Sequence, residues 1–237
     1  MNVIVVAHRG FSGIYPENTL LAFEKAVEIG ADFLELDIHQ AKDGNVVVCH
    51  DATIDRTTNG SGFIKEMEYS ELLKWDAGSW KGYPGEKIPL LSDVFRRVGD
   101  KIRIFIEIKE CNVPDLISLI KEFRMERRVI VGSFNLEYVK QVRNLCGEIC
   151  TALISSRIPE DLDLLIKLGV RQLSIEFHHL NKGIVKELVS RGFLVNAWTP
   201  DSEEDLKRCL FYGVQFLTTN RPDILREIIQ RGEIIEG

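Results

Sequence analysis

A beat of apolar run, short loop, helical run and glycine recurs along nearly the whole chain, and few folds accommodate it. The helical stretches Thr19–Ile29, Leu91–Val98, Pro159–Leu168, Asn181–Arg191, Ser202–Tyr212 and Ile224–Arg231 each stop at a glycine, the residue that most easily ends a helix. Pro159 stands where a first helical residue would, and Ser202 with Asp205 offers an N-terminal cap. The runs between are continuous rather than alternating, as in Val3-Ile4-Val5-Val6-Ala7, which is the pattern of strands buried on both faces of a parallel sheet. Eight such strands are predicted, near Val3–Ala7, Phe33–Ile38, Arg103–Ile108, Val129–Ser133, Ile149–Ile154, Gln172–Phe177, Leu194–Trp198 and Gln215–Thr218. Eight alternating strands and helices close a TIM (β/α)8 barrel. The expected organisation is therefore one α/β barrel domain, residues 1–237, with an insertion at about 52–89.

In such barrels the chemistry collects at the C-terminal strand ends. Here those ends carry His8 and Arg9, Glu35 and Asp37, Glu107 and Lys109, Ser133, Glu176, Trp198 and Asn220. Strand period two puts Glu35 and Asp37 on one face of Phe33-Leu34-Glu35-Leu36-Asp37-Ile38, and Glu107 and Lys109 on one face of their own strand. Two acids on the face of an apolar strand are costly to bury unpaired, so a cation is expected beside them. Oxygen donors alone suit a hard ion, Mg2+ or Ca2+. A zinc site would instead recruit His8 and His50 as ligands. Imidazole titrates near neutral pH, so the two histidines can instead divide a proton abstraction and a proton donation.

The exception to the beat lies between the second and third barrel strands. Lys42-Asp43-Gly44-Asn45 carries the signature of a two-residue hairpin turn. Walking back from that turn pairs Lys42 with Asn45 and sets Asp37 opposite His50, so the hairpin returns a histidine to the acids. Ala52–Pro89 is then polar and glycine-rich, with Trp75, Trp80 and Tyr83 interspersed. It reads as an insertion over the barrel mouth, its aromatics serving a small local core or shaping the alcohol side of a pocket.

Composition excludes other classes. A net charge of −6 and the lack of a basic stripe argue against nucleic acid as a partner. Met1–Ala7 has no charged leader and no segment has transmembrane length, so no stable membrane anchor is expected. Five cysteines, Cys49, Cys111, Cys146, Cys150 and Cys209, do not form an even framework, and a reducing cytoplasm is the expected location. Cys146 and Cys150 have the spacing of two ligands on a helix, but without a second cluster they read as packing residues. Oligomeric state is left open.

The ordered motifs resemble the glycerophosphodiester phosphodiesterase family: His8-Arg9-Gly10, Pro16-Glu17-Asn18-Thr19, Glu35-Leu36-Asp37, Lys42-Asp43-Gly44 and His50-Asp51. Arg56-Thr57-Thr58, Asp76-Ala77-Gly78-Ser79-Trp80, Gly85-Glu86-Lys87-Ile88-Pro89, Ile106-Glu107-Ile108-Lys109, Ser133-Phe134-Asn135, Ala197-Trp198-Thr199 and Thr219-Asn220-Arg221-Pro222 continue the pattern. The resemblance implies hydrolysis of a glycerophosphodiester to sn-glycerol 3-phosphate and an alcohol. It implies His8 and His50 as the acid–base pair, Glu35, Asp37 and Glu107 as ligands of one Mg2+ or Ca2+, and Arg9 and Lys109 on the phosphoryl group. Trp198 would pack on the glycerol carbons, or simply plug the barrel. The family usually has Asp where Asn220 stands, and Thr where Ala41 and Leu90 stand; these departures are expected to affect local loops and not activity.

Two alternatives stay beside this reading. One is a related phosphodiesterase acting on lysophospholipids or inositol lipids, disfavoured by the lack of an amphipathic membrane-binding stretch. The other is a metal-dependent barrel isomerase or aldolase, which would want a Schiff-base lysine or a hydride-shift geometry in place of the His8/His50 pair.

Overall fold

A computed structural model describes residues 3–232; Met1, Asn2 and residues 233–237, at the two ends of the expected span, lie outside the described residues. Among the described residues, nine strands form one sheet. Eight are parallel: β1 (Ile4–Ala7), β2 (Phe33–Gln40), β4 (Arg103–Glu110), β5 (Val129–Ser133), β6 (Cys150–Ser155), β7 (Gln172–Glu176), β8 (Leu194–Trp198) and β9 (Phe216–Thr219). β1 pairs with both β2 and β9, so the sheet closes on itself and the TIM barrel is realised. Each parallel strand falls within a few residues of its expected position, because a doubly buried strand is written as an uninterrupted apolar run.

Helices α1 (Leu20–Glu28), α3 (Leu91–Val98), α4 (Val113–Glu122), α5 (Leu136–Leu145), α6 (Leu162–Lys167), α7 (Lys182–Ser190), α8 (Glu203–Tyr212) and α9 (Pro222–Arg231) cover the barrel; α2 (Tyr69–Leu72) lies in the insertion. Periodicity and glycine stops did not single out α4 and α5. Pro159 does not open α6: Asp161 caps it by accepting the Leu164 N–H at 2.8 Å, which starts the helix three residues later than expected. α9 instead begins at Pro222, two residues earlier than expected, with proline at the first position. Cys146 ends α5 and Cys150 opens β6, so they do not share a helix; all five cysteines are free thiols.

Inside the barrel, Val6, Phe33, Phe105, Ile130, Ala152, Ile154 and Phe216 pack together as a plug beneath the mouth. Gly132 makes room for it, since a Cβ there would stand 2.8 Å from the Phe105 ring.

The hairpin differs from expectation by one residue. β3 (Val46–Val48) returns antiparallel to β2, but Ile38 faces Val48 and the Cys49 N–H donates to Asp37 O. Asp37 therefore sits opposite Cys49, and His50 lies one residue beyond. The cause is a three-residue loop: Gly44 takes φ +85°, Ala41 pairs with Asn45, and the Gly44 N–H closes the turn on Ala41 O at 3.0 Å. The insertion that follows has its own core, with Ile54, Ile64, Leu72, Ala77 and Ile88 buried against Val47 and Cys49 of the hairpin and Trp75 packed on them.

Candidate active site

Register assembles the acids. Parallel pairing of β2 and β4 sets Asp37 beside Glu107, and alternation along β2 adds Glu35. All three are buried, and each offers a carboxylate oxygen within 4.8 Å of the others. Two cations reach them. Arg9 donates its backbone N–H to Glu35 Oε2 at 2.9 Å and lays its guanidinium 3.2 Å from Asp37 Oδ2. Lys109 lies 3.2 Å from Asp37 Oδ1 and touches Glu107 Oε1. Asn18 holds the second Asp37 oxygen by its amide, at 2.9 Å.

Three carboxylates against two cations leave an excess of buried negative charge. Burial, then the charges of Asp37 and Glu107, push the Glu35 carboxyl well above its ordinary range. Burial and the Asp37 charge raise Glu107 to about 7 despite Lys109. At Asp37 burial works upward too, but Lys109 and Arg9 outweigh it and hold the carboxyl low. Asp37 Oδ1 and Glu107 Oε1 are buried and both lean on the Lys109 ammonium. A buried set made only of carboxylates, with fewer cations than acids beside it, fits a hard divalent cation.

The turn that presents Arg9 depends on its neighbour. Gly10 takes φ +78°, and a side chain there would press on the Ala22 backbone at 2.7 Å. Arg9 itself has φ +53°, an uncommon conformation for a residue with a Cβ, fixed by its contacts to Glu35, Asp37 and Glu17.

Two imidazoles face this cluster, and their partners differ. His8, at the end of β1, has Nδ1 2.7 Å from the side-chain oxygen of Asn220 and Nε2 3.8 Å from Glu35 Oε2. Burial, followed by the Arg9 charge, lowers His8 to about 4. His50 follows β3 and presents Nδ1 to Asp51 Oδ1 at 2.5 Å. Arg56, from the insertion, grips Asp51 through Nε at 2.7 Å and Glu17 through both terminal nitrogens at 2.9 and 2.8 Å. Glu17 in turn takes Arg9 at 2.8 Å. One chain of ion pairs thus joins the loop of His8 to the loop of His50. The Arg56 hydrogen bond is the main cause that holds Asp51 down at about 2. His39, inward on β2 like Asp37, supports the His50 carbonyl through Nε2 at 3.1 Å.

A cavity of about 300 Å3 opens over these groups. His8, Arg9, Glu35, His50, Glu107 and Lys109 line it together with the apolar Phe105, Phe134, Ile154 and Trp198. The Trp198 indole is fixed by its N–H on Ser174 O at 3.0 Å and meets Phe134 edge to face. The eight residues to which the resemblance gives roles, His8, Arg9, Glu35, Asp37, His50, Glu107, Lys109 and Trp198, therefore come together, with Asp37 fully buried behind the cavity wall. Ser133 and Glu176 do not line it: the Ser133 hydroxyl donates to Ile108 O, and Glu176 takes His178 at 2.5 Å. Nor do Trp75, Trp80 or Tyr83, so what the insertion brings to the site is Arg56.

Glu17, Arg56 and His39 carry no role in the sequence, and Asn220 stands there at a strand end, with its departure from Asp expected to affect only local loops. Asn220 instead bonds directly to His8. The one signal for His39 was its parity with Asp37 along the strand.

The glycerophosphoryl diester phosphodiesterase family matches residues 8–224 of the chain. A glycerophosphodiester phosphodiesterase of Caldanaerobacter subterraneus subsp. tengcongensis is 37% identical, the alignment covering 98% of this chain and 100% of that protein. One of Bacillus subtilis is 33% identical over 95% of this chain and 86% of its own length. Among solved structures, a phosphodiesterase of Oleispira antarctica in complex with the product sn-glycerol-3-phosphate superposes with a TM-score of 0.92 at 28% identity, covering 95% of this chain and 96% of that one. With the barrel, the acidic cluster and the facing histidines in place, the chain belongs to the glycerophosphoryl diester phosphodiesterase family.

Proposed function

We propose that this chain hydrolyses glycerophosphodiesters to sn-glycerol 3-phosphate and an alcohol, with one divalent cation held by Glu35, Asp37 and Glu107 and the proton transfers divided between His8 and His50. The observation that carries the reading is the buried cluster of three carboxylates beside a cavity that two imidazoles also line. Mg2+ or Ca2+ bound there would supply positive charge to the phosphoryl oxygens as a Lewis acid. Arg9 and Lys109 add fixed positive charge beside the same oxygens, in a site largely shielded from water.

Partner chemistry separates the histidines. His8 rests on a neutral amide, which gives a proton-carrying ring no compensating charge, so it suits the group that starts neutral and takes the nucleophile's proton. Asp51 gives His50 that compensation, so His50 suits the group that brings a proton to the leaving alkoxide. When the P–O bond to the alcohol breaks, that proton goes to the departing oxygen. Exchange with solvent then resets both rings. Trp198 and Phe134 offer an apolar wall to carbon atoms of the substrate.

The five free thiols fit work in a reducing cytoplasm, and among the described residues no helix is long and apolar enough to cross a membrane. The insertion is read as part of the one barrel domain because its core packs on the β2–β3 hairpin.

Glycerophosphocholine, with sn-glycerol 3-phosphate release followed by a coupled dehydrogenase, tests the reading. Release with Mg2+ or Ca2+, loss in EDTA and recovery on adding metal are expected. Full activity after verified metal removal would overturn the metal assignment, and no release from any glycerophosphodiester would overturn the substrate class.

A further inference from the structure

Asn220 connects His8 to a residue outside the cavity. Its side-chain oxygen lies 2.7 Å from His8 Nδ1 and 2.7 Å from the Ser12 hydroxyl, while its amide nitrogen donates to Asp201 Oδ2 at 2.7 Å. An amide can be turned end for end, so its orientation follows from its partners. Asp201 only accepts. Turned over, Asn220 would set its oxygen against a carboxylate oxygen with no proton between them. Asp201 cannot swing away, because its other oxygen takes the Asn220 backbone N–H at 2.8 Å and the Thr219 hydroxyl at 3.0 Å. With the Asn220 oxygen thus aimed at His8, the pair can bond only if Nδ1 carries the hydrogen. In the neutral ring the lone pair is then on Nε2, the nitrogen nearer Glu35.

We propose that Asp201 is a positioning residue which, through Asn220, locks His8 in the Nδ1–H tautomer and so presents the Nε2 lone pair to the reacting centre. The proposal rests on the reading of His8 as proton acceptor and says how that role is secured. A carboxylate at position 220 would accept from Nδ1–H whichever way it turned. An asparagine needs a neighbour to choose its orientation, and Asp201 is that neighbour.

Asp201→Asn tests this with almost no change of shape. The two donors, Asn220 N–H and the Thr219 hydroxyl, will hold the new side-chain oxygen, leaving its NH2 toward Asn220. Asn220 then turns over, presents its own NH2 to His8 Nδ1, and forces the hydrogen to Nε2. In Mg2+-loaded, ¹⁵N-histidine-labelled protein at pH 7.5, with the His8 signals identified by their loss in His8→Gln, long-range ¹H–¹⁵N correlation reads the tautomer directly. Wild type should show protonated Nδ1 and bare Nε2, and Asp201→Asn the reverse. Its kcat should fall about 10²-fold, the low end for a lost proton-transfer group, with little change in KM. Exchanging the pair, Asp201→Asn with Asn220→Asp, should restore both the tautomer and most of kcat. A wild-type spectrum with the hydrogen on Nε2, or an Asp201→Asn protein that keeps it on Nδ1, overturns the proposal, and the first needs no variant to fold. A tautomer that reverses while kcat holds leaves the lock intact and overturns His8 as the proton acceptor.

Discussion

Replacing Glu107 by glutamine should make the metal-free protein more stable and weaken its stabilisation by metal. The carboxyl ordinarily ionises near 4.5 and is raised to about 7 in the folded chain, by burial first and then by the Asp37 charge. A group raised in this way contributes fully below its unfolded value, and the contribution is lost as pH rises through the folded one. At about 1.4 kcal/mol per tenfold change in proton affinity, the interval bounds the loss at roughly 3 kcal/mol. Glutamine has nearly the same shape and no charge to lose, although Lys109 then keeps only Asp37 as an acidic contact. A net gain of roughly 2 kcal/mol remains at pH 8, worth about 4–8 °C in Tm for a chain of this length. At pH 5 the gain should nearly vanish. Excess Mg2+ should narrow the gap or invert it, since a ligand at about 100 times the wild-type Kd adds roughly 2.7 kcal/mol to wild type but only about 1.4 or about 0.4 kcal/mol to a variant that binds about 10- or 100-fold more weakly. The variant should bind the ion about 10- to 100-fold more weakly or worse, by the standard of disturbed outer-shell partners. Thermal melts of both proteins in EDTA and in Mg2+, at pH 5 and pH 8, give all eight values. A glutamine variant less stable than wild type in EDTA at pH 8, or equally stabilised by Mg2+, would refute the reasoning.

Because a proton near pH 7 competes with the ion at Glu107, apparent metal affinity measured by calorimetry should weaken about tenfold per pH unit below 7; affinity flat from pH 5 to 8 would contradict this. Arg56→Gln releases Asp51 and Glu17 together, so kcat should drop by up to about 10²-fold from misplaced His50, while the loss of these half-exposed pairs costs no more than about 1 kcal/mol in a denaturant melt. Unchanged kcat would show that the ion-pair chain does not orient the ring. Gly132→Ala should lower stability by about 1–3 kcal/mol as the new methyl meets Phe105, and an unaltered Tm would mean that the plug has slack.

The barrel was legible in the sequence because both of its signals are local: apolar runs mark doubly buried strands, and glycine marks helix ends. The catalytic candidates were legible for the same reason, as strand parity alone puts Glu35 with Asp37 and Glu107 with Lys109. What brings the two pairs together is the β2–β4 register, which no local pattern encodes. The hairpin slipped by one residue because Asp43-Gly44 suits a two-residue turn and also a three-residue loop closed by a left-handed glycine. Asn220, the partner of His8, stayed hidden because it lies 212 residues away, and so did the Arg56–Glu17 pair, whose members are 39 residues apart. Trp75, Trp80 and Tyr83 suited either a small local core or a pocket by composition; Trp75 joins the small core and Trp80 spends its N–H on Ala77 O.

The division of labour between the two histidines is tested most directly by the leaving group. An alkyl alkoxide must be protonated as it departs, so His50→Ala should lose about 10²–10⁴-fold in kcat on glycerophosphocholine. A glycerophosphodiester whose alcohol is p-nitrophenol needs little protonation. On it His50→Ala should recover most of that loss, while His8→Ala, which lacks the group that takes the nucleophile's proton, should stay impaired on both substrates. Recovery of His8→Ala instead would reverse the two roles, and full activity of both variants on glycerophosphocholine would remove the histidine pair from the mechanism.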